Sequence, residues 1–223
     1  MDIYPQCAKC KTVYCISSPR EEIDESLLPS FCPMRNFKQI IKSAHVMYNN
    51  EYTRKLYLAS SMTEKRAYEV VRGRLMPVYP RIREIIEFCK MIDAKRLGVA
   101  FCTGLHDEAA RVVTVLEESE FTVASVRCKC GAIDKTNLSV PREYKIRDPD
   151  KFDPACNPIA QAHILNEAKT DLNIIVGLCV GHDILFTMHS KAPVTTLIVK
   201  DRLLGHNPLI ALYSNYHKNI IKP

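Results

Sequence analysis

The chain has 223 residues, of which 47% are hydrophobic and 25% charged, and carries a net charge of +6. That composition belongs to an ordinary folded protein and excludes a disordered tail, a collagenous repeat or a polytopic membrane protein. The departure from average is ten cysteines set against only seven glycines.

Met1 to Arg20 shows no basic stretch leading into an apolar one, so no secretory leader is expected. The longest apolar run, around Leu172 to Val180, falls far short of the roughly 20 residues that a membrane helix requires. The sequence therefore predicts a cytoplasmic protein with no membrane partner, whose thiols stay reduced or hold a metal.

Residues 1–34 show little periodicity and contain Pro5, Pro19, Pro29 and Pro33 together with four cysteines. Cys7 and Cys10 form a C-x-x-C turn, which directs two sulfurs to one point, and Cys15 and Cys32 can complete a four-sulfur site. The segment reads as a cysteine-rich metal knuckle. Its single C-x-x-C and the proline after Cys32 leave zinc and an iron–sulfur cluster both open.

Residues 35–96 form a helical segment. Phe37, Ile40, Ile41, Ala44, Met47 and Tyr48 recur at spacings of three and four, as do Ile82, Ile85, Ile86 and Cys89 beyond Pro77 and Pro80. Cys89 lies on the apolar stripe and is expected to be a buried structural thiol. Most of the positive charge falls here, Arg54, Lys55, Arg72 and Arg74 included. A solvated helical face explains it better than a nucleic-acid surface, because no recognition motif accompanies the charge.

Residues 97–223 alternate strand and helix. LGVAFC, FTVASVRC, NIIVGLCV and TTLIVK read as strands buried on both faces. Leu105 to Glu118 reads as a helix with Asp107 and Glu108 in its first turn. Asn157-Pro158 and Asn207-Pro208 each read as a cap opening a further helix. The fold class expected is α/β: a doubly wound, mostly parallel sheet of about four strands, preceded by the helical segment and the knuckle. Gly131 to Ala155 breaks the alternation as a polar excursion placed to act as a lid.

Cys102, Cys128 and Cys179 each end a predicted strand, and Cys156 immediately precedes the Asn157 cap. The carboxyl ends of parallel strands meet at one crevice, so these four thiols are expected along a single edge. Gly104, Gly131, Gly177 and Gly181 each fall within three residues of one of them, where tight turns are needed. Cys102 and Cys156 also stand just ahead of helix N-termini, which favour thiolate. His182 and Asp183 follow Cys179 as proton-transfer candidates, with Arg202 as an anion anchor. The crevice could bind a second iron–sulfur cluster, or Cys156 could act directly as a nucleophile with a neighbouring thiol resolving it. The plain alternative is that strand-end cysteines are small buried hydrophobes. Cys130 lies past its strand end, and its membership of the site stays open. No dinucleotide fingerprint, phosphate-binding loop or nucleophile elbow is present.

The strings AFCTGL (Ala100 to Leu105), CKCGAIDK (Cys128 to Lys135), CNPIAQA (Cys156 to Ala162), GLCVGHD (Gly177 to Asp183) and KDRLLGHNP (Lys200 to Pro208) resemble an uncharacterised prokaryotic domain family labelled as predicted metal-binding proteins. The resemblance covers nearly the whole chain. It implies metal binding in an anaerobic cytoplasm and supplies no substrate; Cys130 departs from the aliphatic residue expected in relatives. Residues and resemblance together lead to the expectation of a thiolate metal-binding protein, an enzyme of sulfur-transfer or redox chemistry acting on a sulfur-containing or anionic small molecule, with a redox protein as a possible partner. The alternative is a non-catalytic zinc-stapled module that binds nucleic acid or protein through its basic helical segment.

Overall fold

The structure is a computed structural model and describes residues 4–221. Residues 1–3 and 222–223, the outer ends of the predicted knuckle and α/β segments, lie outside the described part. The chain divides into two compact units, Met1–Met62 and Thr63–Pro223.

The first unit opens with four 3-10 turns, at Cys7–Lys9, Tyr14–Ile16, Arg20–Glu22 and Glu25–Leu27. Ile23, Leu28 and Cys32 make a small buried cluster, with Tyr14 and Met34 packed on it. Helices α1 (Pro33–Asn36), α2 (Lys38–Met47) and α3 (Glu51–Arg66) follow, α3 running through the boundary between the units. Pro33 occupies the first turn of α1, where its missing N–H has no intrahelical partner to lose. The apolar spacing read over α2 does give a helix, yet none of its residues is buried.

The second unit begins with a departure from the helical reading. Strands β1 (Tyr68–Val71) and β2 (Arg74–Pro77) pair as an antiparallel hairpin, with Val71 opposite Arg74. Arg72 and Gly73, both at positive φ, form the two-residue loop, the backbone that matches strand twist. Arg54 and Lys55 therefore lie on α3 and Arg72 and Arg74 on a hairpin, so the basic residues do not share one helix face.

Then come α4 (Arg81–Met91), β3 (Arg96–Phe101), α5 (His106–Glu118), β4 (Thr122–Arg127), α6 (Pro158–Glu167), β5 (Leu172–Val176), α7 (His182–His189), β6 (Val194–Ile198), α8 (Leu209–Tyr213) and α9 (Lys218–Ile221). The four later strands form a parallel sheet in the order β4-β3-β5-β6. This is the α/β sheet expected from the alternation. The chain moves from β3 outward to β4, then crosses back past β3 to β5. Right-handed crossovers accordingly put α5 on one face and α6 and α7 on the other.

Every residue of β5 is buried, as are five of the six in β3. On β4 and β6, which form the sheet edges, burial is only partial, so burial on both faces holds for the central pair alone. Arg81 donates from Nε to Thr196 O at 2.7 Å, covering part of the exposed edge of β6. Cys89 on α4 is fully buried, and burial pushes its thiol up to about 12. Asn157 caps α6 as read, accepting from the Ala160 amide at 3.0 Å. Asn207 makes no such cap; Pro208 stands at the N-terminus of α8 without a side-chain bond. Among the described residues no helix is long and apolar enough to cross a membrane.

Candidate functional site

The direction of the chain reverses between β3 and β5, and the crevice at their carboxyl ends is the switch point where doubly wound folds bind ligands. Cys102 follows β3 directly, Cys128 follows β4, and Cys179 follows β5 by three residues. Cys156 arrives from the other direction, at the end of the excursion and two residues ahead of α6.

Cys128 is the centre of the arrangement. Its sulfur lies 3.6 Å from that of Cys156, and the Cys102 thiol is near enough to be shifted by it. The Thr103 amide donates to it at 3.3 Å, and the Thr103 hydroxyl lies 3.6 Å away. Segments remote in sequence thus bring the Cys128 and Cys156 sulfurs together. Cys128 is only 2% exposed and Cys102 9%, whereas Cys156 is half-buried.

Each flank carries a cation. Lys200 Nζ donates to Cys102 Sγ at 3.2 Å, and Arg202 donates to Cys179 Sγ at 2.8 Å. Contact with Cys128, followed by burial, pushes the Cys102 thiol up to about 12 against the opposing pull of Lys200. The same Cys128 contact lowers Cys156 below the ordinary thiol value, with burial opposing and Lys129 assisting.

His182 opens α7, and burial lowers its pKa, with Asp183 resisting. Asp183 Oδ1 accepts from the Gly181 and Ile184 amides, both at 2.9 Å, which occupies it with the backbone at the start of α7. Asp201 and His206 close the loop that presents Arg202: the His206 amide donates to Asp201 O at 2.8 Å and the Asp201 amide to His206 Nδ1 at 3.1 Å. Gly177 is required where it stands. Its φ is +65°, and a Cβ there would lie 2.8 Å from the Leu105 side chain.

The excursion is an ordered loop. Its base is closed by the Asn157 amide donating to Cys128 O at 2.7 Å and by a bridge between Asp134 and Pro154. Lys129 Nζ donates to Pro154 O at 2.6 Å. Cys130, half-buried, comes within 4.0 Å of Asn157 O, and burial raises its thiol.

In the first unit, Cys7, Cys10, Cys15 and Cys32 all line one pocket of about 220 Å³, together with Val13, Leu28, Phe31 and Met34. Cys7 and Cys15 are exposed, Cys10 half-buried and Cys32 buried. The Thr12 hydroxyl, 3.4 Å away, lowers the Cys10 thiol. All ten cysteines are free thiols. Among the described residues no group of three or more Cys, His, Asp or Glu side chains is arranged to hold a metal ion.

Sequence reading missed Lys200, Thr103, Lys129 and Gln161. Lys200 could have been found by the strand-end rule that yielded Arg202, since it follows β6 by two residues. Gln161 carries no such signal: it lies on a helix, fully buried, and donates from Nε2 to Phe101 O and Val126 O at 3.3 and 2.7 Å.

A family described as "Protein of unknown function (DUF1847)" matches residues 32–197. The chain is also 54% identical over 137 residues to the uncharacterized protein MJ0455 of Methanocaldococcus jannaschii, a match covering 61% of this chain and 68% of that protein.

Proposed function

The chain belongs to the DUF1847 family, and from that premise we propose that it is a thiolate metal-binding protein whose working centre is the strand-end crevice. The observation that carries this reading is the 3.6 Å separation of the Cys128 and Cys156 sulfurs. Two sulfurs on one tetrahedral ion at about 2.3 Å stand ~3.8 Å apart, so this pair needs almost no movement to share an ion. The donor set suits a single zinc or iron ion better than a cluster whose thiolates sit on separate irons. Cys102, Cys128 and Cys156 would hold the ion, leaving its fourth position open.

Lys200 and Arg202 support this reading, because several thiolates in one crevice need nearby cations to offset their mutual repulsion. A bound ion with an open position acts as a Lewis acid toward a substrate sulfur or oxygen. His182 is the group that would take up or release a proton beside it, and the two cations would orient an anionic small molecule at the mouth.

The pocket shared by Cys7, Cys10, Cys15 and Cys32 supports a second, structural metal in the first unit, zinc or iron–sulfur. The test is anaerobic purification of the full chain, followed by elemental analysis and an absorption spectrum. Cys128→Ser should remove the crevice metal alone, and Cys10→Ser the other alone, with far-UV circular dichroism preserved in both. A metal-free protein, or one whose metal content survives Cys128→Ser, rejects the crevice assignment. Brown colour with acid-labile sulfide identifies iron–sulfur; a colourless protein with zinc identifies the other metal.

A further inference from the structure

Two sulfurs 3.6 Å apart in the crevice bracket the excursion, Cys128 at its entry and Cys156 at its exit. The backbone between them is already drawn together by the Asn157 amide on Cys128 O at 2.7 Å, the Ala155 amide on Ile133 O at 2.7 Å and the Asp134–Pro154 bridge. The loop closure that a bond between the two sulfurs would require has thus already been made by the fold. A disulfide needs a sulfur separation of about 2.05 Å, which leaves roughly 1.5 Å for side-chain rotation to cover.

The two thiols differ in access. Cys156 is half-buried and open to a small reagent, while Cys128 is 2% exposed and can react only with a partner brought to it. This is the division of labour between an attacking and a resolving cysteine. The Thr103 amide at 3.3 Å from Cys128 Sγ stabilises charge on the resolving sulfur as it forms.

We propose that the metal-free crevice carries a second activity, thiol–disulfide exchange with low-molecular-weight disulfides, in which Cys156 attacks and Cys128 resolves. The Cys156 thiolate attacks one sulfur of the disulfide RSSR, forming a Cys156–SR bond and breaking the S–S bond, and the first RS⁻ leaves. Cys128 then attacks Cys156 Sγ, forming the Cys128–Cys156 disulfide and expelling the second RS⁻. Two protein thiols are oxidised, one disulfide is reduced to two RSH, and the two protons from the protein end on the two products. The bond staples the base of the loop over residues 129–155. The activity uses the sulfurs of the metal reading but does not depend on the ion, which by occupying them would block it.

The experiment uses the full chain, reduced and treated with chelator under anaerobic conditions, then exposed to 2-hydroxyethyl disulfide. Peptide mapping should show a Cys128–Cys156 crosslink. Cys128→Ser should stop at a mixed disulfide on Cys156, and Cys156→Ser should leave Cys128 unmodified. A crosslink that joins Cys102 to Cys128 instead, an adduct on Cys128 ahead of Cys156, or no crevice crosslink at all overturns the proposal. The wild-type map decides even where a serine variant fails to fold. Metal content of the untreated protein is scored separately: metal present without the crosslink overturns only the exchange activity, and the crosslink in a protein that purifies without metal overturns only the metal reading.

Discussion

Gln161 is held at one end only. Its Nε2 donates to the carbonyls of Phe101 and Val126, while its Oε1, equally buried, has no hydrogen-bond partner. Those carbonyls belong to the last residue of β3 and the next-to-last of β4, one residue ahead of Cys102 and two ahead of Cys128, so this amide ties together the two strand ends that carry the sulfurs. A carboxylate in its place cannot donate, and it would set a charge against two carbonyl oxygens in a buried site. Gln161→Glu is therefore expected to cost roughly 3 kcal/mol or more at pH 7. Gln161→Met, which loses the same bonds but brings no charge and removes the orphan Oε1, should cost less, about 1–2 kcal/mol. Urea unfolding of both variants measures the difference, and equal costs would refute the penalty for the buried charge. Gly98 makes a sharper case: a Cβ there would lie 1.9 Å from Asn173 Oδ1, an amide oxygen fixed by the Thr170 hydroxyl at 2.8 Å. Gly98→Ala must displace that buried network, and its melting temperature should fall well below that of the unmodified chain.

The ordering of the excursion comes from charge, not from apolar burial. Lys135 pairs with Asp153 at 2.6 Å and Lys145 with Asp134 at 3.1 Å, while Asp134 and Asp153 also accept backbone amides from Thr136, Ile146 and Asp153. The amides of Thr136 and Asp153 hold the Asp134 carboxyl well below the ordinary range; Lys135, then the Ile146 amide, lowers Asp153. A carboxyl depressed in the folded state stabilises it fully above the unfolded value of about 4 and loses that contribution as pH falls through the lower folded value. The loop should accordingly loosen below about pH 4, with amide exchange at Thr136, Ile146 and Asp153 rising ahead of exchange in β3 and β5, once intrinsic rates are corrected. Exchange that rises uniformly across the sheet would refute a local carboxylate lock. None of this pairing was legible in the sequence, because Asp134, Lys135, Lys145 and Asp153 are spread over a polar stretch with no period. LGVAFC and NIIVGLCV were legible as strands because both lie in the middle of the sheet, where apolar runs have no exposed face to interrupt them. The hairpin at Tyr68 to Pro77 was not, since it lies between two stretches, Phe37 to Tyr48 and Ile82 to Cys89, whose apolar residues do recur at three and four and which carried the helical reading across it. The turn at Arg72-Gly73 was the signal that distinguished it.

At the scale of the chain, the same rule that made the crevice legible shows what composition alone could not. Strand ends in a parallel sheet converge whatever their residues, so the positions of Cys102, Cys128 and Cys179 followed from element order, while the sulfur spacing depended on packing by α6. The two units differ in what holds them. In the second, the buried cluster runs from Ile85 to Phe186 and spans the central strands and α4 to α7. In the first, it consists of Ile23, Leu28 and Cys32. That cluster is small for a segment of this length, and a structural metal on Cys7, Cys10, Cys15 and Cys32 would add to what holds residues 4–36 in place. Adding a chelator to the full chain should therefore open the first 36 residues to protease while leaving a resistant fragment that begins near Thr63, with the main thermal transition of the second unit retained. An N-terminal segment that stays protease-resistant without metal would show that its fold needs none, and loss of both units together would show that the sheet does not stand on its own core.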